Sequence, residues 1–188
     1  MGFLGDDGRR RRAATRTPTM YETPDELHEL QTLLDASLSR STDHLRSIIS
    51  SENTVDAPRL VEILTGMRVL ALSTVTAAGE PRISAVDGHF LHGKWVFGTA
   101  RTAAKARHLA ARPAASAAHI QGEELGVFTH GTVEILNPLD GDRADDWPEL
   151  VAHFKKIYGD DAFDWDVEVI YFRLHPHWMT VYAPNESH

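Results

Sequence analysis

The sequence predicts a mainly β protein with added helices: a six- to seven-stranded antiparallel barrel, flanking helices outside it and a helical extension ahead of it. Three observations predict this. The hydrophobic period changes from helical to extended at Arg68. Two turn signals then join three short apolar runs into a meander between residues 69 and 99. A single alanine-rich helical stretch, Ala103–Arg112, interrupts the strands after the third.

Composition bounds the reading. The chain has 188 residues, 42% hydrophobic and 24% charged, which is long enough for one well-buried core with extra helices. The absence of cysteine excludes disulfides, cysteine-bound zinc and iron–sulfur clusters, and fits a reducing, cytoplasmic setting. No apolar run approaches the ~20 residues of a membrane helix, so no membrane partner is expected. Residues 1–16 carry Arg9, Arg10, Arg11, Arg12 and Arg16 against Asp6 and Asp7, a net of +3. Setting that +3 aside from the chain's −8 leaves a body of −11, which repels a phosphate backbone and argues against nucleic acid. Twin arginines also occur in export signals, but no apolar stretch follows these.

The elements follow in order. Residues 1–22 are expected to be a disordered basic tail. Residues 23–56 form a helical extension. Thr23 caps, Pro24 suits the first helical position, Glu26 completes a capping box, and Leu27, Leu30, Leu34 and Leu38 recur at helical spacing. A second segment restarts at Ser41 or Asp43, and Ser50–Asp56 is a polar linker.

Residues 57–183 are the barrel domain. Asp56 caps a helix with an apolar stripe of Leu60, Ile63, Leu64 and Met67. Strands are expected at Val69–Thr76, Arg82–Leu91 and Lys94–Thr99, with turns at Ala77–Glu80 and His92-Gly93. After the helix stopped by Pro113 come Ala114–Ile120 and Val127–Leu136. A further helix starts at Asp146-Trp147-Pro148-Glu149 and ends at Gly159. Two closing strands, Val167–Leu174 and about Trp178–Tyr182, complete the count.

Chemistry concentrates where the third strand gives way to the alanine-rich helix. A helix N-terminus presents free N–H groups and partial positive charge. Thr99, Arg101, Thr102 and Lys105 share that one turn and could surround a phosphate; the alternative is a solvated basic helix. Eleven histidines invite a metal reading, and His175-x-His177 would place two rings on one side of a strand. No HExxH motif or third ligand accompanies them, so no metal is expected. No motif selects an axial histidine for haem, and no G-x-S-x-G elbow supports a hydrolase. Trp95, Trp147, Trp165 and Trp178 are expected to anchor core or interface.

The chain resembles the pyridoxamine 5′-phosphate oxidase-like superfamily of flavin-binding split β-barrels, which includes deazaflavin-dependent reductases. Residues 57–182 carry the likeness. Its parts are a helix leading into Leu70–Val75 and the Ala78-Gly79-Glu80-Pro81 turn; Phe97-x-Thr99 followed by Lys105-Ala106 and Leu109; and Gly131–Glu134 with a closing strand ending Phe172–Pro176.

The resemblance implies an oxidoreductase with FMN, or alternatively coenzyme F-420, at a homodimer interface, acting on a small molecule. A non-enzymatic flavin- or haem-binding protein is the other alternative. It implies a cofactor phosphate held by Thr99, Arg101 and Lys105, with Thr102 as an added hydroxyl donor, and backbone groups of Ser84, Ala85 and Val86 along the ribityl chain and ring. Gln121 or Trp178 of a second subunit would reach the ring. The chain departs from the family in Ala103 and Ala104, where Ser or Thr and then Arg are frequent, and in His108, where deazaflavin users often carry asparagine. It also lacks the lysine on Pro81–Val86 that authentic oxidases carry, which argues against pyridoxal phosphate synthesis. No catalytic side chain is implied, because the cofactor carries the redox chemistry.

Overall fold

A computed structural model of the chain describes residues 21–163 and 167–184. Helices α1 (Pro24–Ser39), α2 (Asp43–Ile48) and α3 (Ala57–Ile63) precede strands β1 (Met67–Val75), β2 (Pro81–Leu91) and β3 (Lys94–Ala100). Then come α4 (Ala104–Ala111), β4 (Ala114–Gln121), β5 (Leu125–Ile135), α5 (Trp147–Tyr158), a short 3-10 turn Asp160–Phe163 and β6 (Val169–Tyr182). The six strands close a barrel in the order β1-β2-β3-β6-β5-β4, every described pairing antiparallel. No described helix is long and apolar enough to cross a membrane.

Local sequence explains the elements. The Thr23–Glu26 capping box forms at the start of α1, Asp56 accepts from the Arg59 N–H at the start of α3, and Gly159 ends α5 at φ 97°. The β2–β3 hairpin turns through His92 and Gly93, with φ 52° and 70°. Two positive φ values make the tight turn whose twist matches its strands, and a glycine takes the second at no steric cost. The extension packs on the barrel through α1, where Leu30 and Leu34 join Leu60, Leu64 and the barrel residues Leu70, Leu72, Trp95, Phe97, Phe172 and Met179 in one core. Each such buried side chain contributes about 1.5–3 kcal/mol.

The expected closing strands are corrected to one. β6 runs unbroken from Val169 to Tyr182, and His177 is the extra residue of a bulge, because His130 pairs with Trp178 while Gly131 pairs with Pro176. Proline lacks an N–H, so it sits in a strand most readily at such an irregularity. Gly131 is required there, since a Cβ would lie 2.1 Å from the His175 carbonyl oxygen. The bulge also removes the simple alternation that would have set His175 and His177 side by side. Met67 departs from the expected helical stripe: it opens β1 and is exposed, because Gly66 ends the turn after α3 at φ 88°. Residues 1–20 of the expected tail, and Trp165, lie outside the described residues. Tyr21 and Glu22 pack against the barrel: Tyr21 meets the His153 ring edge-on, and buried Glu22 accepts from the Gly93 N–H.

Candidate functional site

Strands β2 and β3 part company halfway along. Their ladder covers Gly88–Leu91 against Lys94–Phe97, whereas β2 continues toward Pro81 paired with β1 alone and β3 continues to Ala100 paired with β6. One edge of Pro81–Asp87 is therefore left without a strand partner among the described residues, and its N–H and C=O groups remain available for hydrogen bonding. The α4 helix starts at this split and drops Ala106 and Leu109 into the core.

Lys105 bridges the opening. Its Nζ donates to the Ala85 carbonyl oxygen at 2.9 Å, tying the first turn of α4 to the outlying half of β2. Ala103 is the N-cap of α4 and supplies no side-chain oxygen, so the first N–H groups of the helix have no side-chain acceptor from the cap. Half-buried Lys105, exposed Thr102 and half-buried Thr99 share this corner. Free helix N–H groups, an ammonium and hydroxyls are a donor set that fits a phosphate. The corner thus suits the phosphate of the group implied by the resemblance, and the open β2 edge beside it suits a heterocycle with alternating donors and acceptors.

Six of the seven expected residues gather around the split: Ser84, Ala85 and Val86 on β2, Thr99 at the end of β3, Thr102 in the turn, and Lys105 on α4. Val86 is buried in the core and can offer only backbone, in keeping with the backbone role expected of that strand. Arg101 turns another way. Its Nε donates to the Val167 carbonyl and its Nη2 to the Asn137 carbonyl, both at 2.8 Å. Asn137, itself buried, pairs with β6 through Val169 O and the Tyr171 N–H. Arg101 thereby anchors the end of β3 to β5 and β6. The Arg101 N–H also donates to Glu168 O just ahead of β6, so backbone and side chain both tie this residue to that side of the barrel.

Two further residues hold the corner in place. His108 Nδ1 lies 3.0 Å from Thr74 Oγ1, fastening α4 to β1, and Arg107 donates to the Thr102 carbonyl at 2.7 Å. Trp178 stacks on His130 of the same chain at 4.6 Å, and Gln121 is exposed at the end of β4.

Sequence reasoning missed a second locus. A cleft of about 280 Å³ lies outside the barrel between α5 and β2, β3 and β6, lined by residues including Asp87, His89, Phe97, Thr99, Phe154 and Tyr158. His89 Nε2 is 2.7 Å from the Tyr158 hydroxyl, and His89 Nδ1 is 3.3 Å from His153 Nε2. Burial, with the charge of His153 second, lowers the His89 pKa from 6.5 to about 4. Burial likewise lowers His153, reinforced by Lys156. Burial raises Tyr158, and the Asp87 carboxylate adds to that. These groups are 64 and 69 residues apart in sequence, so no spacing rule joins them. The only local signal was outward-facing His89 on β2 and the aromatic end of the α5 stripe.

Comparison with known proteins bears on these features. No curated protein matches this chain. Among solved structures, a conserved hypothetical protein of Mycobacterium tuberculosis superposes with a TM-score of 0.58 at 16% identity, covering 74% of this chain and 95% of its own. The heme storage protein HutZ of Vibrio cholerae gives 0.56 at 18%, covering 67% and 92%. General Stress Protein 26 of Bacillus anthracis gives 0.52 at 15%, covering 68% and 94%. At these identities the likeness is one of fold. The family model described as pyridoxamine 5′-phosphate oxidase matches residues 57–181, from the start of α3 through β6, so the split, α4 and Lys105 all fall within it. With more than half of its length so matched, and a six-stranded barrel of the expected kind, the chain belongs to the pyridoxamine 5′-phosphate oxidase family.

Proposed function

We propose that this chain is an oxidoreductase that binds FMN between two copies of itself and moves hydride to or from a small organic molecule. The observation that carries the reading is Lys105 reaching across the split to Ala85, which places an ammonium, an N-terminus lacking a side-chain cap and an unpaired β2 edge in one corner. When bound, the flavin would supply the hydride chemistry. The chain's own work is to hold and orient. Lys105 and the first N–H groups of α4 take the phosphate, with Thr99 and Thr102 donating hydroxyls. The backbone of Ser84, Ala85 and Val86 meets the polar edge of the ring system, and Arg101 fixes the turn from behind.

A second copy is supported by the outer face of β1, β2 and β4. Ala71 lies between Ala85 and Ala118, a flat run of small residues, with Ile83, Ile120 and Val69 exposed at 76%, 60% and 55% around it. A contiguous apolar patch rimmed by polar residues is typical of an interface. Pairing on this face would exclude water from the β2 edge that receives the ring.

Absorbance of the purified protein and titration with FMN and F-420 test the reading. Lys105→Ala removes one charge-assisted bond, worth about 1.5–3 kcal/mol, so FMN should bind roughly ten- to a hundredfold more weakly with folding unchanged. Equal affinity in the variant overturns the phosphate corner. Tighter binding of F-420 than of FMN replaces the coenzyme and keeps the corner.

A further inference from the structure

We propose that the cleft between α5 and the outer face of β2, β3 and β6 binds a small, planar, non-anionic molecule whose hydrogen-bond acceptor is met by the Tyr158 hydroxyl. The argument begins with the direction of a hydrogen-bond chain. His153 Nε2, His89 Nδ1, His89 Nε2 and the Tyr158 oxygen form a continuous series, and His153 Nδ1 is buried with no hydrogen-bond partner among the described residues. Neutral histidines allow two arrangements.

If Tyr158 donates to His89, then His89 donates to His153, and the remaining His153 proton sits on the buried Nδ1 with nothing to receive it. If the chain runs the other way, Nδ1 carries only a lone pair. Buried orphan N–H groups are rarer than under-satisfied acceptors, so the second arrangement prevails. His153 donates to His89, His89 donates to the Tyr158 oxygen, and the Tyr158 proton is left to point away from His89. Tyr158 is half exposed on the cleft wall, so that proton is offered to an occupant.

The walls define the rest of the ligand. Phe154, Tyr158 and Tyr171 supply flat apolar surface. The volume of about 280 Å³ falls just below the usual range of drug-sized pockets, so the occupant is small. Asp87 is the only acidic side chain among the described lining residues, and no lysine or arginine is among them. A carboxylate there disfavours an anion. The cleft shares Thr99 with the flavin reading, but Lys105 is not among the lining residues, so a variant at Lys105 separates the two.

The probe is coumarin, a neutral two-ring lactone, titrated into the full chain by calorimetry, with coumarin-3-carboxylate as its anionic counterpart. Coumarin should bind more tightly than the carboxylate. Tyr158→Phe should weaken coumarin by about three- to tenfold, the value of one net hydrogen bond. Asp87→Asn should narrow the preference against the carboxylate, a change that a merely structural role would not produce. Lys105→Ala should leave coumarin affinity unchanged while lowering that for FMN, so the two readings fail separately. Failure of coumarin to bind, equal affinity in Tyr158→Phe, or tighter binding of the carboxylate overturns the proposal.

Discussion

The barrel has two unlike outer faces. On one side, α5 lays Trp147, Leu150 and Phe154 over Leu91, Val96 and Leu136, making a second core outside the first. On the other, β1, β2 and β4 carry Ala71, Ser73, Ala85, Ser116 and Ala118 outward, with nothing from the described chain laid across them. The difference is one of cover. Large residues on the first face are buried beneath a helix, whereas on the second Ile83, Ile120 and Val69 stay exposed around small residues that leave backbone accessible. Lys105 lies at the border, where accessible backbone meets a helix N-terminus.

Paired substitutions break this comparison most directly. Leu150→Ala removes a side chain that is 2% exposed and leaves a cavity beneath α5, so it should cost about 2–5 kcal/mol in urea unfolding. Ile83→Asp, on the bare face, should leave the stability of the monomer within about 0.5 kcal/mol. Its effect should appear in sedimentation instead, as dissociation of the proposed dimer. Equal destabilisation by both variants would mean the faces do not differ in kind.

The covered face also titrates in a sense of its own. Unfolded, His89 has an ordinary pKa near 6.5; folded, burial holds it at about 4. Between those values the unfolded chain binds a proton that the native chain refuses, so stability falls as pH drops from 6.5 toward 4. At 1.36 kcal/mol per unit the loss approaches about 3 kcal/mol, and His153 works in the same direction. Unfolding curves at pH 7 and pH 4.5 measure it. His89→Gln should flatten that limb, and an unchanged slope would place the acid sensitivity elsewhere.

The sequence resolved these two faces unequally, for physical reasons. Helix starts at Thr23 and Asp56, the His92-Gly93 turn and the strand alternation are local signals, and each stands in the fold where it was expected. Lys105 and Thr99 were legible because a helix N-terminus collects groups that are neighbours in the chain. Arg101 was read by the same adjacency, yet its side chain turns to the β6 side of the barrel and reaches carbonyls 36 and 66 residues away. The unbroken β6 was hidden because His175-Pro176-His177 looks like a break until Gly131 on another strand makes room for the bulge. The His153–His89–Tyr158 chain was illegible for the same reason: its geometry exists only after α5 packs on β2.

Three residues from His89, the same hairpin carries a histidine of opposite sense, and it gives the smallest of the expected effects. His92 Nδ1 lies 3.0 Å from Glu26 of α1, and its Nε2 lies 3.2 Å from Glu149 of α5. Burial pulls its pKa down, but hydrogen bonds and charge from Glu26, then from Glu149, more than offset this and raise it above 6.5. A raised histidine contributes stability that is fully present below pH 6.5 and is lost as pH rises through the folded value. Glu149 is more than half exposed, so solvent screening keeps the contribution below about 1 kcal/mol. His92→Gln should therefore lower stability slightly at pH 6 and leave it unchanged at pH 9. Since Glu26 sits on the extension and Glu149 on the covering helix, the turn is a charge clasp between the two elements that dress the barrel. If the pH 6 loss vanishes in 1 M salt, where the screening length shrinks to about 3 Å, the clasp is electrostatic. If it persists, packing of the imidazole between α1 and α5 holds them together.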